Sequence, residues 1–373
     1  MTKNIWIDGK EANVYQRVGS GQVAFELLKN IENLDHQNNY TILLTDKPLP
    51  DLPKERSGWK YKILRPGRLW TRIAVPLYYH LVKIKPDVIL SPTHYIPAFI
   101  KAKRVPIIFD LAFIHFPSMF KKDDLYKLTN WTKSSVLESS HIITISESSK
   151  ADIIKSYKVP EEKITVAYPG YDEQIFGVIK DEEKTNNVLE KYRISGNYII
   201  YIGTIQPRKN LLRLIRAFKT IENCKLVIAG KIKGKGKQAW MNEAILSEPK
   251  NLAIEEKIIF TDFIPSSDLP YLLAKAKAFI LPSLWEGFGI PVVEAMACGT
   301  PVIVSKVSSL PEVAGEAGIM VDPESEDQIE QAIRLLVTDE KLRVRLSKKG
   351  LIQAKKFSWE KMAKEVINIL ENV

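Results

Sequence analysis

AFILPSLWEGFGIPVVEAMACGTP, residues 278–301, runs a strand, a glycine-bearing turn and a helix together without a break. The apolar stretch AFILPS (278–283) has the length of a strand and ends on turn residues. GFGIP (287–291) then sets two glycines around an aromatic, and Pro291 suits the first turn of a helix reaching about Cys298. Free backbone N–H groups and the positive end of the helix dipole make such a turn a cradle for phosphate. Glu286 stands before the turn, and Glu294 lies one helical turn past Ile290. Carboxylates accept hydrogen bonds from hydroxyl groups, so the pair suits a ligand with a hydroxylated ring on each side of a diphosphate. A bare GxG would indicate no more than a turn; both carboxylates around it point to a ligand.

The same alternation extends in both directions. Toward the C-terminus lie strand-like PVIVSK (301–306) and GIMVD (318–322), with a helix-like stretch at 325–336. Upstream are NYIIYIG (197–203), KLVIAG (225–230) and KIIFTDF (257–263), separated by helix-like 210–221 and 268–275. A second series occupies the N-terminal half: NIWID (4–8), YTILLT (40–45), VILSP (88–92), VPIIFD (105–110), HIITIS (141–146) and ITVAYP (164–169). Its helix-like stretches are 21–33, 70–84, 123–139 and 147–157. Strands alternating with helices predict parallel sheets covered on both faces. The polar run GVIKDEEKTNN (177–187) breaks the periodicity most sharply, and 373 residues exceed one core. The expected domains are therefore 1–177 and 178–356, followed by a helix over 357–373 that packs back on the first domain. In doubly wound sheets ligands bind beyond the carboxyl ends of the strands, so the loops there carry the chemistry.

Composition narrows the function classes. Hydrophobic residues make up 45% and charged residues 26%, which fits a globular protein rather than a disordered or fibrous one. Cys224 and Cys298 sit in apolar contexts with no metal-ligand spacing, and MTKNIWIDG lacks a secretory h-region. With no apolar run of roughly 18 residues, the expectation is a cytoplasmic protein. Charge is uneven: between Lys54 and Arg104 twelve Lys or Arg face only Glu55 and Asp87, a local excess equal to the chain's net +10. Such a surface suits an anionic membrane or a polyanionic acceptor as well as a plain solvated face. Nucleic acid is the weakest partner, since no recognised binding module accompanies the charge. Segment 69–84 (LWTRIAVPLYYHLVKI) reads as a helix packed on the first sheet, with an amphipathic pattern that also suits a membrane surface.

Glu286, seven intervening residues and Glu294, within EGFGIPVVEAMACGTPVI, resemble the signature of the retaining GT-B glycosyltransferases of the large bacterial group 1 family, which includes mannosyl- and glucosyltransferases. The likeness continues through SSLPEVAGEAGIMVDP (308–323), YIGTIQPRKNLLRLIRAF (201–218), ISESSKADII (145–154), KITVAYPGYDEQIF (163–176) and, more loosely, FDLAFIHFPSMF (109–120). It implies an α/β fold of two doubly wound, Rossmann-like domains facing across a cleft, and transfer of a hexose from a nucleoside-diphosphate sugar to a glycan or lipid-linked acceptor with retention of configuration. Glu294 is then expected on the ribose hydroxyls and Glu286 on those of the sugar. The loop Gly287, Phe288, Gly289 and Ile290 offers backbone to sugar and phosphates, with Gly203 in the neighbouring loop. Arg208 and Lys209 neutralise the diphosphate, and the region of Phe263 and Ile264 meets the base through main chain. Gly19, Ser20 and Gly21 resemble the family's glycine loop.

Charge chemistry agrees, because two cations beside a departing nucleoside diphosphate stabilise it. Gly19-x-Gly21-x-x-Ala24 also matches a dinucleotide fingerprint, but a dehydrogenase would place it directly after the first strand. Asp110 ends the strand VPIIFD and is the expected acceptor-side catalytic residue. The family commonly has His-Asp where this chain has Phe109-Asp110, which leaves sugar identity open; His115 is a substitute for that His or a structural residue. No Asp-x-Asp occurs, and neither metal nor cofactor is expected. GDP-mannose is favoured over UDP-glucose by the FDLAFIHFP stretch, while acceptor, linkage and oligomeric state stay open. Alternatives are a sugar-nucleotide-binding protein without catalysis, or another GT-B enzyme such as a sugar-nucleotide epimerase.

Overall fold

The computed structural model describes residues 2–232 and 243–373. The chain divides into two units, one running to Gly170 and resuming over Ser358–Val373, the other spanning Tyr171–Phe357.

The first unit carries seven parallel strands: β1 (Asn4–Asp8), β2 (Asn39–Leu44), β3 (Trp59–Ile63), β4 (Val88–Ser91), β5 (Lys103–Ile108), β6 (Ile142–Thr144) and β7 (Ile164–Val166). Their order is β3-β2-β1-β4-β5-β6-β7. All four residues of β4 are buried, as expected for a central strand covered on both faces. Sequence periodicity does not find β3, whose WKYKI keeps Trp59 wholly buried while Lys60 and Lys62 face water. It is an edge strand, and exposed lysines blunt its free edge at the expense of the apolar run that would announce it.

Segment 70–84 is not one continuous helix. A π-helical turn, Trp70–Ala74, gives way to the α-helix Val75–Leu81. The winding changes between Ala74 and Val75, just ahead of Pro76, which has no N–H to donate one turn back. Trp70, Ala74, Val75 and Tyr79 pack in one core cluster with Trp6, Leu43 and Ile89, and Thr71 and Pro76 are buried as well.

The second unit carries six parallel strands: β8 (Tyr198–Ile202), β9 (Lys225–Ala229), β10 (Ile258–Asp262), β11 (Ala278–Leu281), β12 (Val302–Ser305) and β13 (Gly318–Val321), ordered β10-β9-β8-β11-β12-β13. The unit boundary lies at Gly170 rather than in the polar run 177–187. That run instead enters the helix Glu182–Lys191, which Asp181 caps by accepting from Lys184 N at 2.9 Å. Only Thr185 and Val188 of this helix are buried, so a polar surface helix reads like a linker. Helices Glu243–Asn251, Leu310–Ala314 and Glu340–Ala354 also go beyond the sequence reading.

The chain returns to the first unit at Ser358, one residue later than expected, because Phe357 packs edge-on against Phe288 with ring centroids 5.2 Å apart. Helix Trp359–Asn372 follows, with Ser358 as its N-cap. Lys3 Nζ donates to the carbonyls of Leu370 and Val373, each at 3.1 Å, and Asn38 Nδ2 donates to Glu371 at 3.0 Å. Gly170 makes the crossing possible, since a Cβ there would sit 2.1 Å from Trp359 N.

Strand order reverses direction between β1 and β4 in the first sheet and between β8 and β11 in the second. Loops leaving those strands flank the crevice where doubly wound sheets bind ligands.

Candidate functional site

In the second unit the loops after β8 and β11 are knitted together. Leu284 N donates to Arg208 O at 2.9 Å, and Asn210, held left-handed at φ 61°, donates from Nδ2 to Pro282 O at 2.9 Å. Arg208 and Lys209 lie in the short turn Pro207–Lys209, directed at the β11 loop.

Glu286 is their common partner. Lys209 Nζ lies 2.5 Å from Oε1 and Arg208 Nη1 3.5 Å from Oε2, and Arg208 also donates to Trp285 O. Ser283 Oγ donates to Oε1 at 2.6 Å, and Glu286 N donates to Ser308 Oγ at 3.0 Å. Burial pushes the Glu286 carboxyl up, but the two cations and the bonds from Lys209 and Ser283 outweigh it. The group is held below the usual carboxylate range and stays anionic. Three charged side chains, none more than 17% exposed, thus form a triad of net charge +1 at the switch point. A buried charge cluster is tolerable only when well partnered, and Ser283 gives the carboxylate a hydrogen bond beyond its two cations.

The turn after Glu286 is equally fixed. Ser309 Oγ reaches Glu286 O and Phe288 O, each at 3.0 Å, around buried Gly287. Gly289 has φ +104°, a region L side chains rarely enter, and a Cβ there would lie 2.8 Å from Leu310 Cδ2. Helix Ile290–Ala297 starts immediately after it. Glu294, half-buried on that helix, has its carboxyl pushed up to about 8 by burial and by the charge of Asp172. Among the described residues no hydrogen bond or ion pair reaches that carboxyl. Gly203 follows β8, its N–H bonded to Ala229 O at 2.9 Å. Ile264 is buried and Phe263 exposed just past an irregularity in β10.

The first unit offers different groups. Gly19 has φ +55° and precedes the helix Ser20–Leu34, with Gly21 buried in its first turn. Asp110 follows β5 and is half-buried, its Oδ1 accepting from Ala112 N at 2.8 Å. His94, in the loop after β4, escaped the sequence reading. Its ring stacks on Phe109 at 5.8 Å and 18°, and Nε2 accepts from Phe109 N at 3.1 Å. That bond leaves the His94 proton on Nδ1, which faces Thr132 Oγ1 at 3.5 Å. His115 does not join this group: its Nε2 meets both oxygens of buried Asp152 at 2.9 Å. Asp8 ends β1, buried, accepting from Trp70 Nε1 at 2.9 Å and Lys10 N at 3.1 Å. Burial outweighs those bonds and pushes its carboxyl up to about 6.

The structure thus unites Arg208, Lys209 and Glu286 and sets Gly287, Phe288, Gly289, Ile290 and Glu294 along the adjoining turn and helix. Gly19, Ser20, Gly21 and Asp110 belong to the first unit. Ser283, Ser308, Ser309 and His94 are additions; the serines lay within strings already quoted, but a hydroxyl carries no spacing signature.

Two parallel-sheet domains of this kind define the GT-B fold, and whole-chain structural likeness agrees. Sucrose-phosphate synthase from Thermosynechococcus elongatus superimposes with a TM-score of 0.82 at 17% identity, covering 99% of this chain and 98% of that one. HepE from Anabaena, solved in complex with UDP-glucose, gives 0.77 at 18% identity, with each chain fully covered. Residues 184–353 match the family model for glycosyl transferases group 1, and residues 18–175 match that for glycosyltransferase family 4. The O-antigen chain mannosyltransferase B of Escherichia coli is 31% identical over 284 residues, 74% of this chain and 72% of that protein. The chain belongs to the group 1 family of GT-B glycosyltransferases. Among the described residues no helix is long and apolar enough to cross a membrane.

Proposed function

We propose that the chain is a retaining hexosyltransferase that moves mannose, or a closely related hexose, from a nucleoside-diphosphate sugar to a glycan or lipid-linked acceptor. The reaction serves cell-surface polysaccharide synthesis at the cytoplasmic face of a membrane. The observation that carries this reading is the Lys209–Glu286–Arg208 triad at the β8/β11 switch point, beside the turn that opens helix Ile290–Ala297. The name of the Escherichia coli relative supports mannose and an O-antigen-type product, and the HepE complex supports a nucleotide-sugar donor.

In this reading the diphosphate sits against the N–H groups after Gly289 and draws on Arg208 and Lys209. Glu286 receives sugar hydroxyls, and Glu294 receives the ribose. The bond from the anomeric carbon to the diphosphate breaks, and the two cations take up the charge left on the leaving oxygen. The acceptor hydroxyl attacks from that same face and gives its proton to the departing phosphate, so configuration is retained. Asp110 holds the acceptor side. Charge neutralisation by Arg208 and Lys209 needs no metal ion or other cofactor.

The test is release of free nucleoside diphosphate from GDP-mannose, UDP-glucose and ADP-glucose, by the wild type and by Lys209→Ala and Glu286→Ala. Turnover of one donor, lost in both variants, supports the enzyme; tight binding without turnover on any donor and acceptor would favour a binding protein. Activity is expected to survive chelation with EDTA.

A further inference from the structure

The loop after β4 builds an aromatic wall in the first unit. It starts at Phe109, the neighbour of Asp110, on which the His94 ring stacks at 5.8 Å. Tyr95 meets His94 edge-on at 6.4 Å, and Trp131 meets Tyr95 edge-on at 5.6 Å. Tyr95 and Trp131 are both half-buried. The Arg72 guanidinium lies over the Trp131 ring at 5.2 Å, and Arg72, Tyr95 and Trp131 line one crevice.

The wall is braced on two sides. Ile96 N donates to Ser135 Oγ at 3.1 Å, which donates in turn to Trp131 O at 2.8 Å, so the loop is tied to helix Lys122–Glu138. Ala98 N donates to Thr71 O at 2.9 Å and ties it to the turn Trp70–Ala74. A ligand would therefore meet rings already held in place.

The polar groups around the wall are unengaged. The Tyr95 hydroxyl, Trp131 Nε1, the Arg72 guanidinium and the carboxylates of Glu11 and Asp124 make no hydrogen bond or ion pair among the described residues. Burial, and after it the charges of Asp124 and Glu11, push the Tyr95 hydroxyl up to about 12, so both carboxylates act on this ring. Half-buried aromatics with a few convergent polar groups are the usual lining of a small-ligand site. A pyranose matches this one, because its C–H faces pack on aromatic rings and its hydroxyls need donors and acceptors together. A phosphate does not match, since two carboxylates without ion pairs repel it.

We propose that Tyr95 and Trp131, flanked by Arg72, Asp124 and Glu11, form a subsite for an uncharged sugar residue of the acceptor. That residue lies at least one unit away from the attacking hydroxyl, because the wall leads away from Asp110. The inference rests on the transferase reading and deepens it. The acceptor is a saccharide chain already begun, supplied by an earlier glycosyl transfer, rather than a bare phosphorylated lipid.

The experiment is saturation-transfer NMR of the full chain, without donor, with α-mannotriose, with maltotriose and with a phosphate ester of each. One neutral trisaccharide is expected to bind, and its phosphate ester to bind roughly tenfold more weakly. Tyr95→Ala and Trp131→Ala each weaken binding roughly tenfold, and Tyr95→Phe and Trp131→Tyr, which keep the rings, recover most of it. Glu11→Gln/Asp124→Asn narrows the gap between neutral and phosphorylated ligand. With membrane-extracted acceptor, the Ala variants show their loss in acceptor KM rather than in kcat. Three results overturn the proposal: neither trisaccharide binds, the Ala variants bind like wild type, or the esters bind as well as the neutral sugars. Nucleoside diphosphate release to water by the wild type is read in parallel. Its failure sinks the transferase reading and leaves trisaccharide binding intact, whereas absent trisaccharide binding leaves that release intact.

Discussion

The two sheets open their switch points on opposite chemistry. Beyond β8 and β11 stand two cations locked on a buried carboxylate, with three serine hydroxyls bracing the loop. Beyond β1 and β4 stand buried Asp8, its carboxyl pushed up to about 6, and a neutral His94 lying flat on Phe109. One site is a preorganised cluster of net positive charge, an arrangement suited to an anion. The other centres on a carboxyl that exchanges its proton near pH 6 and on a neutral imidazole, both carried by the ends of strands and the loops after them.

The largest expected effect breaks the comparison at its charged end. Lys209→Ala lowers kcat/KM on the preferred donor by roughly a hundred- to a thousandfold, the usual cost of one donor to developing charge. Asp110→Asn, on the other side of the comparison, lowers transfer while leaving nucleoside diphosphate affinity at the wild-type value; calorimetric titration with the diphosphate separates the two. Equal losses of diphosphate affinity in both variants would erase the distinction between the sites.

Next in size is stability. Glu286→Ala strands Lys209 and Arg208 without their carboxylate, and urea unfolding should register a loss of about 3 kcal/mol. Because the folded Glu286 lies below its ordinary value of 4.5, the stability it contributes is present above that pH and is lost as pH falls below it. Glu294 has the opposite sign. Its carboxyl is raised to about 8 from 4.5, so the folded chain holds a proton that the unfolded chain releases, and stability falls as pH rises from 4.5 through 8. Because the carboxyl is only half-buried, solvent screening cuts the drop to on the order of 1–2 kcal/mol, and it should vanish in Glu294→Gln. Saturating nucleotide should also change this pH dependence, since a ribose there changes the environment of the carboxyl.

The smallest effect sharpens the side of Asp8 and His94. Trp70→Phe removes the hydrogen bond to Asp8 and should cost about 1 kcal/mol. A much larger loss would mean that this link carries more of the first domain than its geometry suggests.

The same contrast explains what the sequence disclosed. Most strands were legible because parallel strands covered on both faces are continuous apolar runs, as VILS of β4 and VIVS of β12 are. The exceptions are polar elements: edge strand β3, with its outward lysines, and helix Glu182–Lys191, with two buried residues. The loop after β11 was legible because its glycines and both carboxylates fall in one short stretch, Glu286 to Glu294. What did not show was that Arg208, Lys209 and Glu286 are mutual partners, since 77 residues separate Lys209 from Glu286. His94 and Phe109 come from separate loops and meet only through the β4–β5 pairing. No spacing rule reaches such a pair.

The central claim is that the triad serves a nucleotide-sugar donor. Its most direct test is transfer of radiolabelled sugar from GDP-mannose to membrane-extracted acceptor, comparing wild type with Glu286→Ala and Lys209→Ala of matched fold. A labelled, chain-length-dependent product that requires both side chains is the predicted result. Undiminished transfer in both variants, or no labelled product from GDP-mannose, UDP-glucose or ADP-glucose, would contradict it.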